Sequence, residues 1–159
     1  QSSFKIGICW QGNQGIIDIG RSFPLSLFAN ISRLPTVELI SLNKGHGELQ
    51  LRDVTFEVTT LGSDFDIGED AFMDTAAVMM KCDLVITSDT AVAHLAGALG
   101  QRTWVALKKV PEWRWLLDRN DSPWYPTMSL YRQSKPGDWT GVFKQIEYDL
   151  YNLLIESDY

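Results

Sequence analysis

The sequence predicts an α/β fold in which helices flank a mostly parallel sheet. Short apolar segments typical of buried strands alternate with helical segments along most of the 159 residues. Strands that alternate with helices pair in parallel through right-handed crossovers. Polar or glycine-rich turns follow two of the strands directly, and the carboxyl edge of such a sheet is where ligands bind.

The composition is that of one folded domain over residues 1–159. Hydrophobic residues make up 45% and charged residues 21% of the chain, which is ordinary for a soluble globular protein. The net charge of −6 argues against nucleic acid or a membrane surface as partner, because both select a basic face. No apolar run approaches the roughly 20 residues of a membrane span, and no leader pattern is visible. We therefore expect a cytoplasmic protein without a membrane span.

Two strands and a helix are predicted in the first third of the chain. The apolar run FKIGICW predicts a strand at 4–10 that is covered on both faces. After a glycine-rich loop, Pro24 fits the first turn of a helix that Ser22 would cap. This helix has an apolar face at helical spacing and ends at Pro35, before a second strand at 37–42.

The middle of the chain is predicted to be less regular. Residues 45–53 suit one irregular helical turn, 56–61 a weaker strand, and the acidic segment 64–70 an exposed loop. The run FMDTAAVMMK then predicts a helix at 72–81. The side chains expected to face inward from this helix are Phe72, Ala76 and either Met79 or Met80.

The segment DLVITSDTAVAHLAGALG at 83–100 carries the strongest signal for a ligand site. A strand at 84–87 runs into a polar turn and then into an alanine-rich helix. A helix start offers free backbone N–H groups and positive partial charge, which suit phosphate. His94 would lie one turn beyond Thr90 on the same side. The alternatives are that Asp89 and Thr90 are ordinary helix caps and that His94 is a packed or solvated helix residue.

The last third of the chain is predicted to add two strands and a terminal helix. The strands are expected at 102–107 and 128–131, separated by an irregular proline-containing segment at 108–126. Asp138 would cap the terminal helix. The apolar face of that helix comprises Val142, Phe143, Ile146, Leu150 and Leu153.

Tryptophan and cysteine are expected to serve mainly the core. The tryptophans either cover the core with aromatic surface or, for one or two of them, line a ligand cleft. Cys9 and Cys82 lie in or just before predicted strands, which favours buried free thiols over a disulfide. The tryptophans of the C-terminal part are Trp113, Trp115, Trp124 and Trp139.

The loop at 11–22 is a second candidate for ligand contact. Its glycines would let the backbone approach a ligand closely, although they do not form the G-x-G-x-x-G fingerprint of dinucleotide-binding proteins. Arg21 precedes the helix start, where its guanidinium could bind a diphosphate while Ser22 caps the helix. The alternative is a surface arginine beside an ordinary cap. The glycines of the loop are Gly12, Gly15 and Gly20.

Several other chemistries lack their sequence signatures. The two histidines, His46 and His94, are not near a cysteine at metal-ligand spacing, so we expect no metal. Neither a G-x-S-x-G elbow nor a Walker A motif is present, which argues against a nucleophile triad and P-loop phosphate hydrolysis. The acidic loop lacks EF-hand spacing.

Three segments resemble one enzyme family over nearly the whole chain. The run SDTAVAHLAGALGQRTWVAL closely resembles the D-T-[GA]-x-x-H-x-A-[GA]-A-L-G segment of glycosyltransferase family nine, the heptosyltransferase-like enzymes. KIGICWQGN resembles the strand and loop that open the C-terminal half of these enzymes. WRWLLDRNDSPWYPTMSLYRQSKPGDW resembles the C-terminal region of bacterial tetratricopeptide-repeat proteins that end in such a domain.

The resemblance implies a single donor-binding Rossmann-like domain, equivalent to the C-terminal half of a GT-B glycosyltransferase. That half binds a nucleotide diphosphate sugar as substrate, with no cofactor or metal, and no catalytic residue is assigned to it here. An N-terminal Rossmann-like or repeat domain of the same protein would supply the acceptor site and base, so the isolated chain is expected to be inactive. The donor contacts implied are Gln11, Gly12, Arg21, Ser22, Lys44, Asp89, Thr90, Ala91 and His94.

The chain departs from the family pattern at two places. Ala91 stands where many heptosyltransferases have glycine, and Gln11, Gly12 and Arg21 stand in the loop where they have a threonine or serine pair and a lysine. The donor is therefore not restricted to an ADP-heptose. The alternative function is a non-catalytic binding or scaffold module that retains the transferase fold.

Overall fold

A computed structural model describes residues 3–13, 19–70 and 72–157 of the chain. Within these residues five strands pair in parallel in the order β2-β1-β3-β4-β5, which confirms the predicted Rossmann-like α/β class. The strands are β1 Phe4–Cys9, β2 Val37–Ser41, β3 Leu84–Ser88, β4 Thr103–Leu107 and β5 Met128–Arg132.

The sheet buries apolar side chains on both faces. Ile86 and Trp104 pack with the core on one face, whereas Val85 and Val105, their neighbours along β3 and β4, belong to clusters on the other. Successive side chains of a strand point to opposite faces, so both faces must be apolar and covered. This explains why the central strands appear in the sequence as continuous apolar runs.

Three α-helices cover the sheet in the described part of the chain: α1 Met73–Met79, α2 Ala91–Ala98 and α3 Trp139–Ser157. The Oδ1 atom of Asp138 accepts a hydrogen bond from the Gly141 N–H at 2.9 Å, which confirms the predicted cap of α3. None of the described helices is long and apolar enough to cross a membrane. The buried side chains of α3 are Val142, Phe143, Ile146 and Leu150.

The predicted helix after Pro24 is instead a pair of short 3₁₀ segments, Leu25–Ala29 and Ile31–Arg33. Pro24 stands in extended conformation at the start, and the Leu25 N–H donates to the Gln50 side chain at 2.8 Å. The prediction that Ser22 caps a helix with Pro24 in its first turn was therefore wrong. A glutamine from a distant segment satisfies this N–H, and local sequence could not indicate that.

Two further predictions for the middle of the chain were wrong. Residues 56–61 form no strand and contribute an isolated bridge between Thr59 and Ile40. Phe72 does not face inward: it precedes α1 in a left-handed conformation (φ 72°) and is 46% exposed. Of the two methionines, Met79 is buried and Met80 is exposed. The region 45–53 contains a 3₁₀ helix, His46–Arg52, close to the expected irregular turn.

Candidate functional site

A cleft of about 1110 Å³ lies at the carboxyl edge of the sheet. Its lining includes Cys9 at the end of β1, Leu42 after β2 and Asp89 after β3. The strand order proceeds in one direction from β1 to β2 and in the other from β1 to β3. Ligands bind at such a switch point because the chain leaves adjacent strands in opposite directions and opens a crevice.

The cleft gathers the residues that the sequence singled out, apart from Ser22. Their role as donor contacts stays a prediction, because proximity alone does not identify a ligand. Ser22 is not part of the lining, and Gly15 of the glycine-rich loop lies outside the described residues. The predicted residues that line the cleft are Gln11, Gly12, Arg21, Lys44, Asp89, Thr90, Ala91 and His94.

Asn43, which the sequence analysis did not select, joins the ends of β1 and β2. Its Oδ1 atom accepts hydrogen bonds from the Trp10 N–H at 3.1 Å and the Gln11 N–H at 2.9 Å. Asn43 is buried, and a Cβ at Gly47 would lie 2.4 Å from its Nδ2 atom. This amide therefore fixes the backbone beside Gln11. The signal in the sequence that could have identified Asn43 is its position directly after the predicted buried strand at 37–42.

The start of α2 faces the cleft without a side-chain cap from Thr90. The Thr90 Oγ1 atom lies 3.2 Å from Thr87 Oγ1 and 3.4 Å from the Ser88 carbonyl oxygen. Thr90 occupies the N-cap position of α2, as the alternative interpretation predicted, but it makes no side-chain capping hydrogen bond to the helix. Helix-start N–H groups at a cleft wall can bind an anion.

Asp89 places a carboxylate oxygen in an unusual position. The residue is 5% exposed and lines the cleft, and its Oδ2 atom is buried without a hydrogen-bond partner in the described part of the chain. An unsatisfied buried acceptor is unfavourable. A carboxylate oxygen accepts hydrogen bonds, for example from a hydroxyl group.

His94 is held by residues from the tryptophan-rich segment. Its Nδ1 atom lies 3.1 Å from the Tyr125 hydroxyl, and its ring stacks on Trp115 with centroids 5.2 Å apart. Tyr125 was not selected from the sequence, because no local pattern links it to a helix 31 residues away.

The tryptophans divide between the core and the surface, and that one of them lines a ligand cleft stays a prediction. Trp115 is fully buried, and Trp139 packs on Phe23 with ring centroids 5.3 Å apart. Trp113 and Trp124 are 68% and 60% exposed and line a second pocket of about 390 Å³, which shares His94 with the cleft.

The cleft is lined by three basic side chains and by three acidic ones, Asp66, Asp89 and Glu112. Arg21, Lys44 and Arg114 are in the lining. The Lys44 ammonium donates to the Phe65 carbonyl oxygen at 2.6 Å, which holds the acidic loop against the cleft. Glu112, also in the lining, pairs with Arg114 at 3.0 Å.

The Asp66 carboxylate of the acidic loop caps α1: its Oδ1 atom accepts from the Asp74 N–H at 3.0 Å. Most residues of the segment 64–70 are exposed, as predicted, and Asp66 is half-buried at the start of α1.

Cys9 contributes a thiol that is not activated for nucleophilic attack. Burial raises the pKa of Cys9 to about 11, although hydrogen bonding to Thr90 opposes this. Cys82 is likewise buried, and both thiols are free, as predicted. Within the described residues no group of three His, Cys, Asp or Glu side chains gathers closely enough to hold a metal ion.

The described strands and helices define a Rossmann-like α/β domain with a cleft at the carboxyl edge of its sheet. The structure matches that of E. coli ADP-heptose LPS heptosyltransferase II with a TM-score of 0.68 over 99% of this chain and 48% of that chain. The two sequences are 15% identical, so the match shows a heptosyltransferase-like fold.

The sequence is similar to a curated bacterial protein. It is 28% identical over 142 residues to protein FlbA of Caulobacter vibrioides, which covers 85% of this chain and 23% of FlbA. No protein-family profile matches the chain. The chain thus spans about half the length of the heptosyltransferase and about a quarter of FlbA.

Proposed function

We propose that this chain is the nucleotide-sugar-binding domain of a GT-B glycosyltransferase, equivalent to its C-terminal half. The observation that carries the proposal is the α2 start beside the unpaired buried Asp89 oxygen in one cleft. The helix start suits an anion, whereas the carboxylate oxygen of Asp89 suits a hydroxyl group. A sugar diphosphate carries both groups next to each other.

The diphosphate is proposed to lie against the α2 start. Backbone N–H groups of the first turn, near Thr90 and Ala91, would donate to phosphate oxygens, and the helix dipole favours their charge. Arg21 lines the same cleft, and a guanidinium binds two phosphate oxygens at once. The Gln11 and Gly12 backbone follows β1 at this edge, where Asn43 holds Gln11 in place.

The sugar and the nucleoside would occupy opposite ends of the cleft. Asp89 would accept a hydrogen bond from a sugar hydroxyl, with His94 one helical turn further on. Lys44 and the half-exposed ring of Phe72 line the end near the acidic loop, and a flat aromatic surface suits a nucleobase.

The contribution of this domain to sugar transfer would be positioning and charge stabilisation. Holding the donor fixed lowers the entropic part of the barrier, and donors aimed at the diphosphate stabilise the charge that develops as it leaves. The acceptor and the base that activates its hydroxyl are assigned to another domain of the same protein. The match to about half of a heptosyltransferase supports this division.

Calorimetric titration of the chain with UDP, GDP and ADP sugars tests the donor site. We expect at least one donor to bind, and Arg21→Ala to weaken it by roughly 10- to 100-fold because charged hydrogen bonds are lost. Arg33→Ala, which removes an exposed arginine outside the cleft, is the matched control and should leave the affinity unchanged. An Arg21→Ala variant that binds as tightly as the wild type would contradict the assigned diphosphate position.

The second candidate function is a non-catalytic scaffold module that keeps the transferase fold. Failure of every nucleotide sugar to bind at millimolar concentration would support this function and exclude the donor site.

A further inference from the structure

The imidazole of His94 is held by two aromatic neighbours, Tyr125 and Trp115. The Tyr125 hydroxyl lies 3.1 Å from Nδ1, and the Tyr125 ring meets the imidazole edge to face at 62°. Trp115 stacks on the imidazole with an interplanar angle of 22°. Within the described residues, Tyr125 is the one hydrogen-bond partner of this side chain. The ring is therefore held in one orientation at the wall of the cleft.

Gly97 makes the approach of Tyr125 possible. It lies nearly one turn beyond His94 in α2, and a Cβ there would lie 2.4 Å from Cγ of Tyr125. Glycine is unfavourable inside a helix, so its presence needs a reason in packing. Here the missing side chain leaves the space in which the tyrosine ring rests on the helix and its hydroxyl reaches His94.

The stacking surface on the other side is equally fixed. Trp115 is fully buried, and its carbonyl oxygen accepts a hydrogen bond from Arg132 Nη2. Neither partner of the imidazole can move without disturbing the core beside β4 and β5. Such constraint exceeds what a solvated helix residue requires.

The hydrogen bond to Tyr125 also decides which ring nitrogen carries the proton. A neutral imidazole has one N–H donor and one bare nitrogen acceptor, and the bond made by one nitrogen sets the state of the other. A phenol hydroxyl is the stronger donor of this pair, and a bare imidazole nitrogen is the stronger acceptor. Nδ1 then accepts from Tyr125, and Nε2 carries the hydrogen.

We propose that Tyr125 is a positioning residue that presents His94 to the cleft as an Nε2–H donor, with Gly97 as the residue that admits it. The use of this donor toward an oxygen of a sugar diphosphate rests on the proposed function. The orientation and the protonation state of the ring do not depend on it.

Nitrogen-15 NMR of the full chain, without any ligand, tests whether Tyr125 determines which ring nitrogen of His94 carries the proton. His46 and His94 are the two histidines of the chain, so His46→Asn assigns both rings. At a pH where the spectrum shows a neutral ring, we expect His94 to carry its proton on Nε2 and Nδ1 to show the shift of a bonded acceptor. Tyr125→Phe should move Nδ1 toward the unbonded position. Tyr131→Phe, which removes a tyrosine hydrogen bond to Asp149, is the control and should leave the Nδ1 shift of His94 unchanged.

Two results would overturn the proposal: a wild-type His94 protonated on Nδ1, or His94 signals that Tyr125→Phe leaves unchanged. Gly97→Ala should reproduce the Tyr125→Phe spectrum by displacing the tyrosine ring. If that variant fails to fold, Tyr125→Phe alone decides the question.

Titration with the nucleotide sugar that binds best tests whether the His94 side chain, as positioned by Tyr125, contributes to donor binding. Tyr125→Phe should weaken binding by about three- to tenfold, the value of one hydrogen bond, while Tyr131→Phe leaves it unchanged. If the wild-type spectrum is as expected but no nucleotide sugar binds, the result would support the positioning of His94 by Tyr125 and exclude the proposed function. Equal affinities of wild type and Tyr125→Phe would overturn the part assigned to His94 in the cleft.

Discussion

At the scale of single residues, the cleft depends on side chains that satisfy backbone groups as much as on those that face a ligand. Asn43 holds the ends of two strands together, and Asp66 caps α1 beside the cleft. Asn43 and Asp89 each keep one buried polar atom without a hydrogen-bond partner in the described chain, Nδ2 of Asn43 and Oδ2 of Asp89.

Asn43→Ala should destabilise the protein and loosen the cleft. The N–H groups of Trp10 and Gln11 would lose their acceptor in a buried place, at a cost of about 1–3 kcal/mol in the free energy of unfolding. Urea denaturation measures this. Asn30→Ala, which removes an exposed hydrogen bond to Glu147, is the control and should change the free energy by less than about 0.5 kcal/mol. Equal costs for the two variants would argue against the role of Asn43.

The buried thiol of Cys9 should make the free energy of unfolding depend on pH in the alkaline range. Because burial raises its pKa from 9.0 to about 11, the folded state keeps the thiol proton in a range where the unfolded state loses it. The contribution of this thiol to stability is thus complete below pH 9 and falls between pH 9 and 11. Over that range the wild type should lose up to about 1.4 kcal/mol per pH unit more than Cys9→Ala. Parallel stability curves of the two proteins would contradict this.

At the scale of elements, a strand–turn–helix prediction with a clear local signal was confirmed, whereas a helix predicted from the spacing of apolar residues was not. β3 followed by α2 has a continuous apolar strand, a polar turn and an alanine-rich helix, and all three were found. The segment after Pro24 has an apolar face at helical spacing and still forms 3₁₀ turns, because a Gln50 side chain and the core decide its conformation. Periodicity alone does not separate these cases.

The cap of α3 can be tested at the same scale. Asp138→Ala removes the acceptor of the Gly141 N–H and should lower the free energy of unfolding by about 1 kcal/mol, measured by urea denaturation. Glu156→Ala, an exposed change near the other end of α3, is the control and should be neutral or slightly stabilising, because an acidic residue disfavours a helix C-terminus. A neutral Asp138→Ala would show that α3 is held by packing alone.

At the scale of the whole molecule, the fold offers one wall of a binding cleft at the sheet edge. The structural match covers 48% of the heptosyltransferase chain, and the proposed function assigns the acceptor site to another domain. We expect the chain by itself to bind a nucleotide sugar and transfer no sugar to an added acceptor, measured as release of the nucleotide diphosphate. Turnover at a rate normal for an enzyme would refute this division of roles.

The sequence by itself determined the parallel α/β class, the approximate place of the strands, the cap of α3 and most of the residues that meet in the cleft. These follow from short-range patterns: apolar runs, turn residues and helix-start residues. Only the tertiary structure decided that Gln50 caps Leu25, that Asn43 joins two strand ends, and that Tyr125 and Gly97 fix His94. Each of these contacts joins residues far apart in the chain or depends on close packing. Long-range contacts and close packing produce no periodic pattern in the sequence.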